Sequence, residues 1–363
     1  MTKRAAVILA GGEAKRFQTL GGGGRDKALI EVSGKTMLQH IIEGISDLVD
    51  EILICVNNLE RKSRYQNLLR GNSLIDKTKI VIDLNYPLTS GPLVAITTGL
   101  KASIAEYCII LPCDTPFIQS EVADFLFKAC GESDIAAPVH PDGTVETIMF
   151  VCRRPQTASI AEILCKMGRK RPDDLIRGSS IAHFISTYTE LKPIDPEFKS
   201  FININSPKDL AQPKTRVKSD GPFKKSIKIR LGAPNAKELG MLEKALENLG
   251  KSEAANAIEI FSELAKEFEE KQIHFWAGIC RENLGKTIEA LLGLKADNLQ
   301  REWVEEEAKA AFLKAARNYS LEAEIYRQNS IYHLAKHAQL DEEWCRRKSS
   351  AGNSDRQQML KHS

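Results

Sequence analysis

Leu9-Ala10-Gly11-Gly12-Glu13-Ala14-Lys15-Arg16-Phe17, running on to Arg25-Asp26-Lys27-Ala28-Leu29, is the stretch whose reading decides the fold. It starts where a short apolar run, residues 4–10, gives out. Adjacent glycines at that point let the backbone approach a ligand closely, with main-chain amides exposed to phosphate oxygens. Arg16 and Lys27 supply the positive charge that a triphosphate needs, the first through bidentate contact and the second as a compact point charge. The spacing fits neither Gly-x4-Gly-Lys-Ser/Thr nor Gly-x-Gly-x-x-Gly, which disfavours a P-loop ATPase and an ordinary dinucleotide-binding dehydrogenase. Residues 21–24, four glycines in a row, read by themselves as a loose loop insert.

Working outward, residues 51–56, 79–83 and 106–111 are further short runs rich in Val, Ile and Leu, each bounded by turn residues. With 4–10 they read as buried strands. Between them lie stretches of helical period at 36–48, 60–69, 92–103 and 119–130. Alternating strand and helix implies βαβ units, hence a mostly parallel sheet covered on both faces. Ligands in such folds sit at the carboxyl ends of the strands, so the polar segments directly after strands are the ones to inspect.

Three qualify. Pro112-Cys113-Asp114-Thr115-Pro116 sets a carboxylate at a strand end between prolines, well placed to hold Mg2+ against a nucleotide phosphate. Asp114 could instead cap the helix near Gln119, but Thr115 can do that job and leaves Asp114 free. Asp83 follows the third strand and precedes Ser90-Gly91-Pro92-Leu93. At 201–210, Phe-Ile-Asn-Ile-Asn-Ser-Pro-Lys-Asp-Leu reads as a short strand turning into a helix with a Ser-Pro start.

The chain has 363 residues, which suggests about two domains. Its 51 Lys+Arg against 48 Asp+Glu leave +3, too little to propose nucleic-acid binding. No apolar stretch approaches the length of a membrane span, and the first is too short for a signal-peptide core. No two of the eight cysteines form Cys-x-x-Cys, so buried free thiols in a reducing cytoplasm are expected rather than a zinc or redox site.

Residues 213–236 hold seven Lys/Arg against one acid, with three prolines, and read as a basic, solvated linker between a domain at 1–212 and another at 237–348. A phosphate- or nucleic-acid-binding arm is the sharper alternative for that stretch. Beyond it the period is 3.6 throughout. Phe261, Ala265, Phe268 and Phe275 recur 51 positions later as Phe312, Ala316, Tyr319 and Tyr326, with an interposed helix-like segment at 285–300. The pattern resembles stacked, tetratricopeptide-like helical hairpins, which often bind proteins in a concave groove. A stabilising bundle with no partner is an equal reading. Residues 349–363, rich in Ser, Gln and Lys, are expected to be a disordered tail.

Taken together and in order, 9–17 with Asp26-Lys27, Gly91-Pro92-Leu93, 112–116 and 201–210 resemble the molybdenum cofactor guanylyltransferases over residues 3–212. The resemblance implies a Rossmann-like α/β nucleotidyltransferase fold with Mg2+, in which GMP passes from GTP to molybdopterin and pyrophosphate leaves. It carries the nucleotide cradle onto Leu9, Ala10, Gly11 and Gly12, the lysine of the Asp-Lys pair onto Lys27, the aspartate before Gly-Pro-Leu onto Asp83, and the metal-binding aspartate onto Asp114. A basic segment at a comparable position falls on Gly168-Arg169-Lys170-Arg171. The chain departs from the family in a longer, glycine-rich loop between Phe17 and Asp26, in one extra residue between Asp83 and Gly91, and in Cys55 where the second strand usually ends in asparagine, Asn57 lying nearby. Gly11-Gly12 favours guanine, because cytidylyl relatives usually have Ala-Gly there.

The expected site therefore comprises Lys27, Arg16 and Asp114 as catalytic groups, Asp114 as metal ligand, and Leu9, Ala10, Gly11, Gly12, Asn57 and Asp83 around the nucleotide. Two competing readings are a related nucleotidyltransferase using CTP or acting on a sugar phosphate, and a helical-repeat adaptor carrying a degenerate nucleotide domain. Retention of every charged site residue argues against the second. GTP and molybdopterin are the expected small-molecule partners, with a molybdoenzyme or cofactor-pathway protein docking on 237–348, no nucleic acid and no membrane.

Overall fold

In the computed structural model, residues 2–12, 26–70, 75–215, 217–218, 220–250, 253–292 and 298–350 are described. The opening run forms strand β1 (Arg4–Leu9), buried at every position after Arg4. Burial on both faces is what the middle of a parallel sheet imposes, and it accounts for a continuously apolar run instead of an alternating one. A small ribbon, β2 (Glu31–Val32) and β3 (Lys35–Thr36), leads into α1 (Met37–Ile45). That helix starts on a capping box: Thr36 accepts from the Gln39 amide, and the Gln39 side chain accepts from the Thr36 amide. There follow β4 (Glu51–Val56), α2 (Leu59–Leu69), β5 (Thr78–Ile82), α3 (Pro92–Ala102), β6 (Tyr107–Pro112), α4 (Ser120–Cys130), β7 (Ile135–Val139), β8 (Phe150–Arg153), α5 (Arg154–Lys166), α6 (Asp173–Arg177), β9 (Ile181–Ser186), α7 (Pro207–Ala211) and β10 (Ile227–Arg230).

Eight of these strands form one sheet in the order β10-β9-β7-β8-β6-β1-β4-β5. β1 pairs in parallel with both β4 and β6, and β4 with β5. β8 runs antiparallel between β6 and β7, so β7, and β9 parallel to it, point the same way as β1. The carboxyl ends of β5, β4, β1, β6, β7 and β9 thus share one edge, and β1 is where the chain's direction of travel across the sheet reverses, the place where such folds bind ligands. Helix α3 lies close on this centre: a Cβ on Gly99 would fall 2.2 Å from Val7 Cγ1 and 3.1 Å from Cys55 Sγ. Any larger residue there would push the helix off the sheet, and with it the loop that α3 presents to the carboxyl edge. All eight cysteines are buried free thiols.

Two differences from the sequence reading concern the sheet. Residues 227–230, inside the stretch read as a linker, are β10, paired antiparallel with β9. Their alternation decides it: Ile229 is buried while Lys228 and Arg230 face out, as suits an edge strand whose exposed lysine discourages further pairing. Residues 202–205 take no strand conformation; the Ser206-Pro207 start of α7 is as read, with the Ser206 hydroxyl accepting from the Asp209 amide.

The chain divides into two compact units, Met1–Arg230 and Leu231–Ser363. The second consists, among the described residues, of α8 (Ala236–Gly250), α9 (Ala254–Glu270), α10 (His274–Leu292), α11 (Asn298–Gln328) and α12 (Tyr332–Ser350), each packed on the next. Trp276, Phe261, Phe268, Phe312, Tyr319 and Tyr326 are fully buried. Two small residues of α10 seat rings of α11, since a Cβ on Gly278 would meet Tyr319 at 2.7 Å and one on Gly285 would meet Phe312 at 2.9 Å. The 51-residue echo proves to be one of helical period: its first copy spans α9 and the start of α10, its second lies wholly in α11. The segment 285–300 is likewise no separate helix among the described residues, its ends continuing α10 and opening α11. Ser349 and Ser350, read as tail, complete α12; residues 351–363 lie outside the described residues.

Candidate active site

A cavity of about 570 Å3 opens at the carboxyl edge of the sheet over β1, β4, β5 and β6, a volume suited to a nucleotide-sized ligand. Leu9, Gly11, Gly12, Lys27, Asn57, Asp83 and Asp114 all line it. Ala10 does not; it is buried beneath, its amide donating to the Cys55 carbonyl at 2.9 Å. Arg16 lies outside the described residues. Asn57, not Cys55, is the side chain that follows β4 into the cavity, because Cys55 is fully buried against Gly99 of α3.

Each side chain is placed by local chemistry. Asp26 caps the 3-10 turn at Lys27–Leu29, accepting from the Ala28 amide at 3.2 Å, and that turn delivers Lys27. The Lys27 ammonium donates to Asp114 Oδ2 at 2.5 Å and to Asn205 Oδ1 at 2.6 Å. Asp114 stands just past β6, its backbone fixed by the Cys113 amide on the Leu9 carbonyl at 3.2 Å and by its own carbonyl accepting from Ile204 at 2.9 Å. Asp83 stands just past β5, its amide on the Val56 carbonyl at 2.8 Å. Gly91, at φ 94°, turns the chain into α3, which Pro92 opens. Gly11 needs no special backbone angle, and a Cβ there would sit in ordinary contact with Asp83 Oδ2 at 3.5 Å.

Asn205, Arg61, Tyr65 and Asp26 belong to the same constellation but lay outside the expected set. The basic segment Gly168-Arg169-Lys170-Arg171 turns in part to internal pairing: Arg169 bonds Asp174 through two nitrogens at 2.8 and 3.0 Å, and Arg177, fully buried, reaches the same carboxylate at 3.0 Å.

Oδ1 of Asp83 and Oδ1 of Asp114 are buried and accept no hydrogen bond. Carboxylate oxygens left this way carry a desolvation cost that a ligand can remove. Burial pushes the Asp83 carboxyl up to about 6, against the opposing pull of Arg61. The folded chain therefore binds a proton there that the unfolded chain has already lost, and the stability tied to Asp83 falls as pH rises from about 4 to 6. Asp83→Asn removes a charge that burial opposes. Its stability should exceed that of wild type at pH 7.5 by about 1–2 kcal/mol after solvent screening, seen as a higher thermal midpoint, and the two should converge below pH 4. Thermal melts across that range check this; an Asn variant less stable at pH 7.5 would contradict it.

Main-chain amides and a buried ammonium beside two under-satisfied carboxylates answer opposite needs, one set for phosphate oxygens and the other for a cation or a polar base edge. Meeting both needs on the carboxyl edge of a mostly parallel sheet suits a nucleotidyltransferase. A family model described as a MobA-like NTP transferase domain matches residues 6–180, and the chain belongs to that family. A probable molybdenum cofactor guanylyltransferase of Methanosarcina acetivorans is 29% identical over 208 residues, covering 57% of this chain and 88% of that one. A molybdenum cofactor guanylyltransferase of Shewanella halifaxensis is 30% identical over 208 residues, covering 57% and 92%. Among solved structures, molybdopterin-guanine dinucleotide biosynthesis protein A of Archaeoglobus fulgidus matches at 21% identity and TM-score 0.47, over 58% of this chain and 95% of that one. The second unit lies outside the matched residues 6–180.

Proposed function

We propose that the chain transfers GMP from GTP to the terminal phosphate of molybdopterin, releasing pyrophosphate, and does so in the cytoplasm. The observation that carries this reading is the meeting of Gly11, Gly12, Lys27, Asp83 and Asp114 around one cavity at the sheet's carboxyl edge. The names of the relatives support the choice of acceptor and of guanine.

The residues present suit Mg2+. Among the described residues no group of three or more His, Cys, Asp or Glu gathers as a metal cage. Mg2+ at nucleotide sites asks for less, one or two carboxylates with phosphate oxygens and water completing the shell. The buried free oxygen of Asp114 is such a donor. When bound, the ion would neutralise charge on the triphosphate. The chain's own groups do the rest. The amides of Gly11 and Gly12 and the Lys27 ammonium take phosphate oxygens, together with Arg16, which we retain as a phosphate contact. Asn57 and Asp83 hold the polar edge of the nucleoside. The phosphate oxygen of the acceptor attacks the α-phosphorus in line, a new P–O bond forms, the bond to the β-phosphate breaks, and the electron pair leaves with pyrophosphate. A phosphate monoester is already anionic near neutral pH, so positioning and charge neutralisation suffice without a strong general base.

The test is pyrophosphate release by the full chain with each of GTP, CTP, ATP and UTP against molybdopterin and a panel of sugar phosphates. GTP with molybdopterin alone should give turnover. Turnover with CTP or with a sugar phosphate instead would replace this reading with the neighbouring one.

We assign the helical unit to docking a molybdoenzyme or another cofactor-pathway protein. Tyr332 and Leu340 of α12, both exposed, line a surface groove with Lys336 and Glu343 of the same helix and Arg327 of α11. Unchanged cofactor delivery to an apo-molybdoenzyme by a Tyr332→Glu, Leu340→Glu variant would remove that assignment. No described helix is long and apolar enough to cross a membrane.

A further inference from the structure

Helix α2 carries two side chains, Arg61 and Tyr65, one turn apart and so on one face, that no account of the reacting groups has used. Tyr65 is fully buried, and its hydroxyl donates to Asp26 Oδ1 at 2.7 Å and reaches the Ala10 carbonyl at 3.2 Å. The Arg61 guanidinium donates to the Gly11 carbonyl and, at 3.1 Å, to Asn57 Oδ1, while its Nε lies 3.1 Å from Asp26 Oδ2. Asp26 itself is buried. One helical turn therefore grips both ends of the glycine-rich loop, Ala10-Gly11 on one side and Asp26 on the other, together with the residue that follows β4.

Two consequences follow from geometry. In a trans peptide the C=O and the next N–H point opposite ways. Arg61 does not line the cavity, whereas Gly12 does. Drawing the Gly11 carbonyl to Arg61 turns the Gly12 amide away from α2, toward the ligand side. On the other end, Asp26 caps the turn that presents Lys27, so fixing its carboxylate fixes the origin of the Lys27 side chain. Both phosphate-seeking groups are thus aimed from beneath by groups that never meet the ligand.

We infer that Arg61 and Tyr65 are positioning residues for the triphosphate, setting the Gly12 amide and Lys27 at once through Gly11 and Asp26. This rests on the reading of the loop as a nucleotide cradle. The inference separates phosphate from base at Tyr65, whose hydroxyl bonds Asp26 and the Ala10 carbonyl, whereas Arg61 also holds Asn57, one of the two groups given to the nucleoside.

The experiment is calorimetric titration of the full chain with GTP and, separately, with guanosine, for wild type, Tyr65→Phe, Arg61→Met and Arg61→Lys. Tyr65→Phe is nearly isosteric and keeps the fold testable should Arg61→Met fail to accumulate. The expected result is a loss of about tenfold in affinity for GTP with each variant, the scale of one charge-assisted hydrogen bond, with guanosine affinity unchanged in Tyr65→Phe and reduced less than GTP affinity in the two Arg61 variants, which also release Asn57. Arg61→Lys should not rescue, since an ammonium cannot span Gly11, Asn57 and Asp26 as the planar fork does. Equal losses for GTP and guanosine would show mere structural support, and unchanged GTP affinity would show no role; either overturns the inference. A wild-type chain that binds a different triphosphate overturns the guanine assignment alone, and the same comparison is then made with that triphosphate and its nucleoside. A wild-type chain that binds no triphosphate overturns both.

Discussion

Asp114→Asn is expected to lower pyrophosphate release about a thousandfold, the scale at which removal of one preorganised charge-stabilising group is felt in a dry site, while the chain folds as before. The structural cost is small for definite reasons. Asp114 Oδ1 accepts no hydrogen bond, so an amide there displaces no existing contact. Its main chain is held by Leu9 and Ile204, neither of which senses the side chain. Lys27 keeps Asn205 at 2.6 Å and can still donate to the amide oxygen of the new residue. What vanishes is the negative charge, and with it the only property that suits this position to a divalent cation beside phosphate. The asparagine variant is preferred to alanine because it preserves shape and hydrogen bonding, so that a fall in turnover reports charge. Steady-state pyrophosphate release with circular dichroism on the same samples decides the matter. Turnover within tenfold of wild type would remove Asp114 from the reaction.

The residues that line the cavity were legible because the chemistry that marks them is local. Gly11-Gly12 after an apolar run, Asp114 between prolines and Asp83 before Gly91-Pro92 each announce a strand end where the chain must stop being apolar, and a parallel sheet gathers such ends on one edge whatever lies between them. Asn57 came only through the resemblance, as the asparagine nearest the position where Cys55 departs from the family. The supports were not legible. Tyr65 bonds to Asp26 across 39 positions and Arg61 to Gly11 across 50, and neither partner advertises a need. A faint signal existed: Tyr65 and Leu69 are the only buried residues of a mostly polar α2, and an aromatic on such a helix with an arginine one turn before it invites a search for what they hold. The linker was misread for a different reason. Seven basic residues and three prolines dominated the composition of 213–236, while the alternation Ile227-Lys228-Ile229-Arg230, a four-residue edge strand, was short enough to be lost within it. In the helical unit the period was plain, but which faces of α10 and α11 meet depends on Gly278 and Gly285 seating the rings of Tyr319 and Phe312, a relation between helices that no single helix displays.

Lys27→Met should cost between about a hundredfold and a thousandfold in kcat/KM for the nucleotide, and the form of the loss carries more than its size. The ammonium is mostly buried, with 14% of its side chain exposed, and is shared between Asp114 Oδ2 and Asn205 Oδ1. Methionine keeps the length and the apolar stem but leaves both oxygens without their donor, so the site becomes more negative where a triphosphate must enter. Lys27→Arg should not restore activity: the planar guanidinium is larger and more rigid than the point charge that fits between two oxygens at 2.5 and 2.6 Å. The double variant Lys27→Met, Asp114→Asn is the discriminating member of the series. Residues in direct contact that serve one event lose less together than the sum of their separate losses, so the double variant should be little worse than Asp114→Asn alone. Strictly additive losses would mean that the ammonium and the carboxylate act on separate parts of the reaction, and that their contact in the free protein is only a way of storing two opposite charges until the ligand arrives.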